Sequence, residues 1–211
     1  MSRVIFNLLL LLFVAVTASG QTAGQPQSQP KCTLTLAESP AIRGLKLGMN
    51  TEQLLSLFPG SRQSTEVKSA IDRAEASPNY GIARLYFDRS GTSGAFGDSF
   101  NGVDSVSVQL FDGQLAQFDV TYAGPQSRPR GPSWPNVAAF VARLSEAFTL
   151  PDTRAWIDNS ADQKTLKCSG FEIRAYNQTR GSISLFNTQY VNTVRQRAEA
   201  DEERRRREFK P

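Results

Sequence analysis

The chain has no histidine, which removes the commonest general base and the commonest transition-metal ligand together. Ser-His-Asp and Cys-His catalysis are therefore excluded. An ordinary zinc site would need both cysteines reduced, with carboxylates beside them. The cysteines are Cys32 and Cys168, and they lack the Cys-x-x-Cys spacing of a redox pair. An even count in an exported chain points to one disulfide between them. On a chain-entropy account so long a loop contributes roughly 4 to 5 kcal/mol. Ser28-Gln29-Pro30-Lys31 matches the Ser-x-x-Lys nucleophile motif, but it lies in a polar stretch with no helix to orient it. Asp158, Ser160 and Asp162 begin like a calcium loop. Gln163 then stands where such a loop needs glycine, and Ser169 where it needs glutamate. Gly91, Gly94 and Gly97 lack the strand-loop-helix setting of a phosphate cradle. An enzyme would have to rely on two carboxylates about 5 to 10 Å apart in a cleft, and spacing along the chain identifies no such pair. The sequence assigns no catalytic residue, no metal ligand and no cofactor.

Large aromatics on loops are better candidates, because they anchor partners. Trp134 lies in a Pro-rich loop, and Phe96 and Phe100 lie in a Gly-rich one. Each suits local packing as well as contact. Trp156, just past a helix exit, reads as core.

The elements that must position these residues begin after a leader. Arg3, the apolar run Val4 to Val16 and Ala18-Ser19-Gly20 have the layout of a secretory signal peptide over residues 1–20. The run is shorter than the roughly 20 residues of a membrane span, and no cysteine stands at position 21 for lipidation. Residues 21–31 are Gln-, Pro- and Ser-rich and read as a flexible leader. No later apolar run is long enough to span a membrane. The formal charge of +4 is too mild to imply nucleic acid.

In the folded part, Asn50 with Gln53 three residues on is a capping-box pair. Leu54, Leu55, Leu57 and Phe58 form a helix stripe that Pro59-Gly60 ends. A second helix is expected over Thr65 to Ala76 and a strand over Ile82 to Phe87. From Val106 to Tyr122 all apolar positions of the alternating runs are even-numbered. A plain two-residue turn would pair even with odd and mix the faces. The register therefore demands an odd loop, Phe111-Asp112-Gly113, with Gly113 left-handed. Asn136 or Ser133 caps a further helix with Val137, Phe140, Val141, Leu144 and Phe148 inward. Short strands follow around Leu166, Phe171 to Ala175, and Ile183 to Leu185. The helix exits "FPGSR" (58–62) and "LPDTR" (150–154), each followed by strands, suggest a duplicated unit. The tail carries Asp201, Glu202 and Glu203 four residues before Arg205, Arg206 and Arg207, the spacing of a solvated, fraying helix.

The stretch Gly44-Leu-Lys-Leu-Gly-Met-Asn-Thr to Gly60 resembles the SmpA/OmlA type of extracytoplasmic assembly module. It also resembles the beta-lactamase-inhibitor-protein-like fold, in which a helix pair leads into an antiparallel sheet. The resemblance implies an α+β fold and a binding role without catalysis; it carries over no functional residue. The expected architecture is α+β: one antiparallel sheet, or two, with helices on one face. The expected organisation is a first unit over 32–124, a second over 125–187 and a charged C-terminal helix or tail over 188–211. The expected function is protein binding in the periplasm or outside the cell, in envelope assembly or enzyme inhibition. A carboxylate-dependent hydrolase is the alternative from another class, and weak polyanion or lipid contact by the tail is a third.

Overall fold

The alternating stretch that sets the register lies inside a single seven-stranded antiparallel sheet. The computed structural model describes residues 30–208 apart from 75, 77, 78, 92, 126 and 128–130. The signal peptide, nearly all of the leader, and Ser28 of the Ser-x-x-Lys motif lie outside the described residues. The strands are β1 (Ile82–Asp88), β2 (Val103–Phe111), β3 (Gln114–Tyr122), β4 (Ile157–Ser160), β5 (Gln163–Lys167), β6 (Phe171–Asn177) and β7 (Gly181–Asn187). Their order across the sheet is β1-β2-β3-β7-β6-β5-β4. Each half is a meander, and the two meanders meet through their last strands, β3 and β7. The fold is α+β, as the order of elements implies.

Helices cover one face. The chain enters α1 (Thr51–Ser56) through the expected capping box: Gln53 N donates to Asn50 Oδ1 at 2.9 Å, and Asn50 N donates to Gln53 Oε1 at 2.9 Å. Helix α2 (Thr65–Asp72) is capped by Ser64 and packs on β1. It ends before Ala74, whose N–H closes a turn onto the Ile71 carbonyl. Helix α3 (Val137–Ala147) is capped by Asn136, which accepts from Ala139 N at 2.8 Å. It packs on β5 and β6. The apolar strand positions point into this layer, and Phe118, Val120, Ile173 and Ile183 are fully buried. Phe58 stacks on Phe87 with ring centroids 3.8 Å apart. Trp156 is buried, and its indole N–H donates to Ser145 Oγ at 3.2 Å.

The β2–β3 hairpin keeps the expected register by a different device. Val106 faces Val120 and Val108 faces Phe118. The turn, however, has two residues, Asp112-Gly113, both with positive φ (49° and 74°), which matches the twist of the flanking strands. The odd residue is a bulge at Leu115-Ala116, where the pairing shifts between Gln109 and Leu110. Both bulge residues are buried. On the other side of β3, where β7 does not reach, Leu115 N–H donates to the Met49 carbonyl at 2.7 Å and Gly48 N–H donates to the Leu115 carbonyl at 2.8 Å. The opening segment is thus tied onto the hairpin.

Cys32 and Cys168 are disulfide-bonded, with Cα atoms 4.8 Å apart at a sequence separation of 136. The bond holds the first described segment beside the β5–β6 connection, where Ser169 N–H also donates to the Leu34 carbonyl at 2.9 Å. One strand departs from expectation, and the tail takes the helical form expected of it. Residues 157–160 form an edge strand, so Asp158 belongs to a hairpin and pairs with Lys164 rather than opening a calcium loop. The tail forms α4 (Thr188–Glu208), which docks by polar contacts on the sheet face opposite α1–α3.

Candidate functional site

In an antiparallel sheet, directly paired residues share a face. The registers therefore define transverse rows on the face away from α1–α3. The central row reads Tyr86, Ser107, Asp119, Ser184, Arg174, Thr165, Ile157. The row on one side is Asp88, Ser105, Thr121, Ser182, Tyr176, Gln163; the row on the other is Arg84, Gln109, Gln117, Phe186, Glu172, Lys167. Six strand spacings of about 4.8 Å make the central row about 29 Å long.

Its middle is a closed hydrogen-bond cluster. Asp119 accepts from Ser184 Oγ on one oxygen, and from Ser107 Oγ at 3.3 Å and Gln117 Nε2 at 3.4 Å on the other. Asp119 thereby ties β2, β3 and β7 together on this face. Asp88 and Glu172 sit two strands and one row away from it, about 12 Å between backbone positions on sheet spacing. Asp88 accepts from Ser90 N and Glu172 from Arg174 Nε. The face thus presents spaced, satisfied carboxylates. Toward the β4 end, the Arg174 guanidinium lies 4.4 Å from the centroid of the Phe186 ring.

Helix α4 frames one end of the face. Tyr190 Oη lies 3.3 Å from Gln109 Oε1 and 3.1 Å from Gln117 Oε1, and its ring meets Phe111 at 5.8 Å. Burial pushes the Tyr190 phenol above its ordinary pKa, so it stays protonated; Arg84 opposes the shift and Asp119 adds to it. Further along, Arg197 donates to both carboxylate oxygens of Asp112 at 2.9 and 2.7 Å and to the Tyr80 carbonyl at 2.9 Å. Asp201 is 9 % exposed; it accepts from Tyr80 Oη at 3.3 Å and pairs with Arg204 and Arg205. From Tyr190 to Asp201 the helix advances about 16 Å, enough to pass three strands; in the central row Tyr86 and Ile157 are exposed while Ser184 and Thr165 are buried.

Of the residues singled out from sequence, Phe100 is not a loop anchor. It is 2 % exposed and stacks on Phe58 at 4.8 Å. Phe96 is half-buried at the end of that stack, 5.3 Å from Phe100. Trp134 is half-buried against Phe140, ring centroids 5.3 Å apart, and its carbonyl accepts from Asn177 Nδ2 at 3.1 Å. Its indole N–H is buried with no acceptor among the described residues. These three do not meet at one site. What sequence reading missed is Tyr86, 54 % exposed, and Ile157, 37 % exposed. The alternation of β1 does place Tyr86 on the polar face.

Among the described residues there is no cluster of three or more His, Cys, Asp or Glu side chains suited to a metal ion, and no helix is long and apolar enough to cross a membrane. Compared with protein-family models, characterised proteins and solved structures, the chain shows no match.

Proposed function

We propose that this chain is an exported protein-binding module without catalysis, and that it docks a folded protein through the polar sheet face. One observation carries the reading. Among the described residues only three large hydrophobic side chains are exposed, Tyr86, Ile157 and Val191. Two of them end the same transverse row, and the third lies on the helix that frames the face. Between the two ends the row is polar and hydrogen-bonded, with an arginine backed by an aromatic ring. Interfaces favour this composition: aromatic and arginine anchors with a satisfied polar surround. The disulfide supports residence in an oxidising compartment, the periplasm or the outside of the cell. The resemblance of residues 44–60 to extracytoplasmic modules points the same way, toward envelope assembly or inhibition of an extracytoplasmic enzyme.

The test is crosslinking capture with the tagged protein in envelope and culture-fluid fractions, followed by affinity measurement with the purified partner. Tyr86→Ala and Ile157→Ala should each weaken binding about tenfold or more, the scale of an interface anchor, with unchanged melting temperature. Binding indifferent to both substitutions would sink the reading. Binding lost at high salt, and lost on removing residues 195–211, would assign the contact to the tail instead.

A further inference from the structure

On the opposite side of the sheet the helical layer has a seam. A cavity of about 620 Å³ opens there between α3, the end of β3 at Tyr122 and the loops that carry Arg43, Gly102 and Trp134. Pockets of this size with mostly apolar walls and a few polar groups are the usual form of small-molecule sites, and they favour junctions between units. Tyr122, Trp134, Phe140, Leu144 and Phe148 form its walls, and Arg43, Arg143 and Glu146 are its charged members. The rings are held by one another: Tyr122 meets Phe140 edge-on at 6.0 Å and 78°.

Arg43 is the unusual member. It is half-buried, with its guanidinium 5.9 Å from the Tyr122 ring centroid. Its side chain donates a long hydrogen bond, 3.4 Å, to the Ser99 carbonyl and also hydrogen-bonds the Tyr122 hydroxyl, and among the described residues it has no ion-pair partner. The other arginine at the rim, Arg143, is already engaged by Glu146 at 2.7 Å. Burial pushes the Tyr122 phenol up in pKa, against the pull of Arg43. The hydroxyl therefore remains a neutral donor beside the cation. A half-buried cation next to a phenol donor, at an aromatic cavity, matches one ligand chemistry: an apolar body ending in a single carboxylate.

We infer that this seam binds an apolar monocarboxylate, its body against Tyr122, Phe140 and Phe148 and its carboxylate on Arg43. The site lies on the face away from the proposed protein-docking row, so either reading can fail without the other.

The probes are decanoate and decanol, which share the body and differ in the charge. Each is titrated into the full chain by calorimetry, with tryptophan fluorescence in parallel. Decanoate should bind at least tenfold more tightly than decanol. Arg43→Met should bring the two affinities to within about threefold by weakening decanoate alone, and Arg43→Lys should restore most of the preference. Trp134→Phe should abolish the fluorescence change while calorimetric binding persists, because Trp134 lines the cavity and Trp156 is buried elsewhere. Equal affinities for the two probes in the unmodified protein, no binding of either at millimolar concentration, or a preference that survives Arg43→Met would each overturn the proposal.

Discussion

Arg197 joins three parts of the molecule that are far apart in sequence: α4, the β2–β3 turn at Asp112, and the Tyr80 carbonyl just before β1. Its hydrogen bonds hold the Asp112 carboxyl below the ordinary range. Arg205 foremost, with Arg204, does the same for Asp201. A depressed carboxyl pKa stabilises the folded state above the ordinary value near 4, and this contribution is lost as pH falls through the folded pKa. Docking of α4 should therefore hold at neutral pH and loosen below about pH 4. Amide exchange along α4, corrected for the intrinsic rate, measures it. Arg197→Met should raise that exchange up to about fivefold at neutral pH, the ceiling for a partly exposed ion pair, and should flatten the acid response. An α4 as protected in the variant as in the parent would show that Arg197 is incidental. At this scale the sequence is legible where the interaction is local. Asn50 and Gln53 name each other because three residues separate them. Phe100 is opaque, because its partner Phe58 lies on another element and a glycine-rich loop carries no sign of that meeting. Tyr86 is half legible: alternation gives its face, but its exposure also reflects the place of β1 at the edge of the sheet, which is set by the strand order.

At the scale of elements, the hairpin shows how a correct constraint can have two solutions. Parity required one extra residue between the even-numbered runs, and a three-residue loop or a two-residue turn with a bulge both supply it. The dipeptide Asp112-Gly113 selects the second, since both residues take positive φ. Gly113→Ala should cost about 1 to 2 kcal/mol, the penalty for a Cβ in left-handed backbone. Chemical denaturation with an unchanged m-value would read this out, and a neutral effect would refute the turn assignment. Strand β4 was illegible because all four of its residues are exposed. As an edge strand it has no face pressed on the core, hence no apolar alternation. Helix α4 is legible as a solvated helix from its acid-before-base spacing, but its docking contacts are not. It docks by a tyrosine, an arginine and a buried aspartate, which hydropathy scores as solvent-facing.

For the whole molecule, the two meanders and the first described segment are fastened by the Cys32–Cys168 bond and by the β3–β7 pairing. Replacing both cysteines by serine should lower unfolding free energy by about 4 to 5 kcal/mol on the chain-entropy account. Denaturation of the oxidised parent and the double variant measures the difference, and an intact mass with two free thiols in the parent would refute the bond. The α+β class and the presence of repeating strands were readable from the order of elements. The strand order was not, because β3 has no local feature that selects β7 as its neighbour. That choice also sets a sequence of events in time. From the synthesis of Tyr122 until Gly181 to Asn187 exist, β3 presents one bare edge carrying unpaired backbone groups between Phe118 and Val120. Such an edge is a template for wrong pairing, and long-range strand pairing of this kind is slow. Cys168 precedes β7 in the chain, so the covalent tie can close before the last strand arrives. The centre of the finished sheet is therefore the last part for which both strands exist.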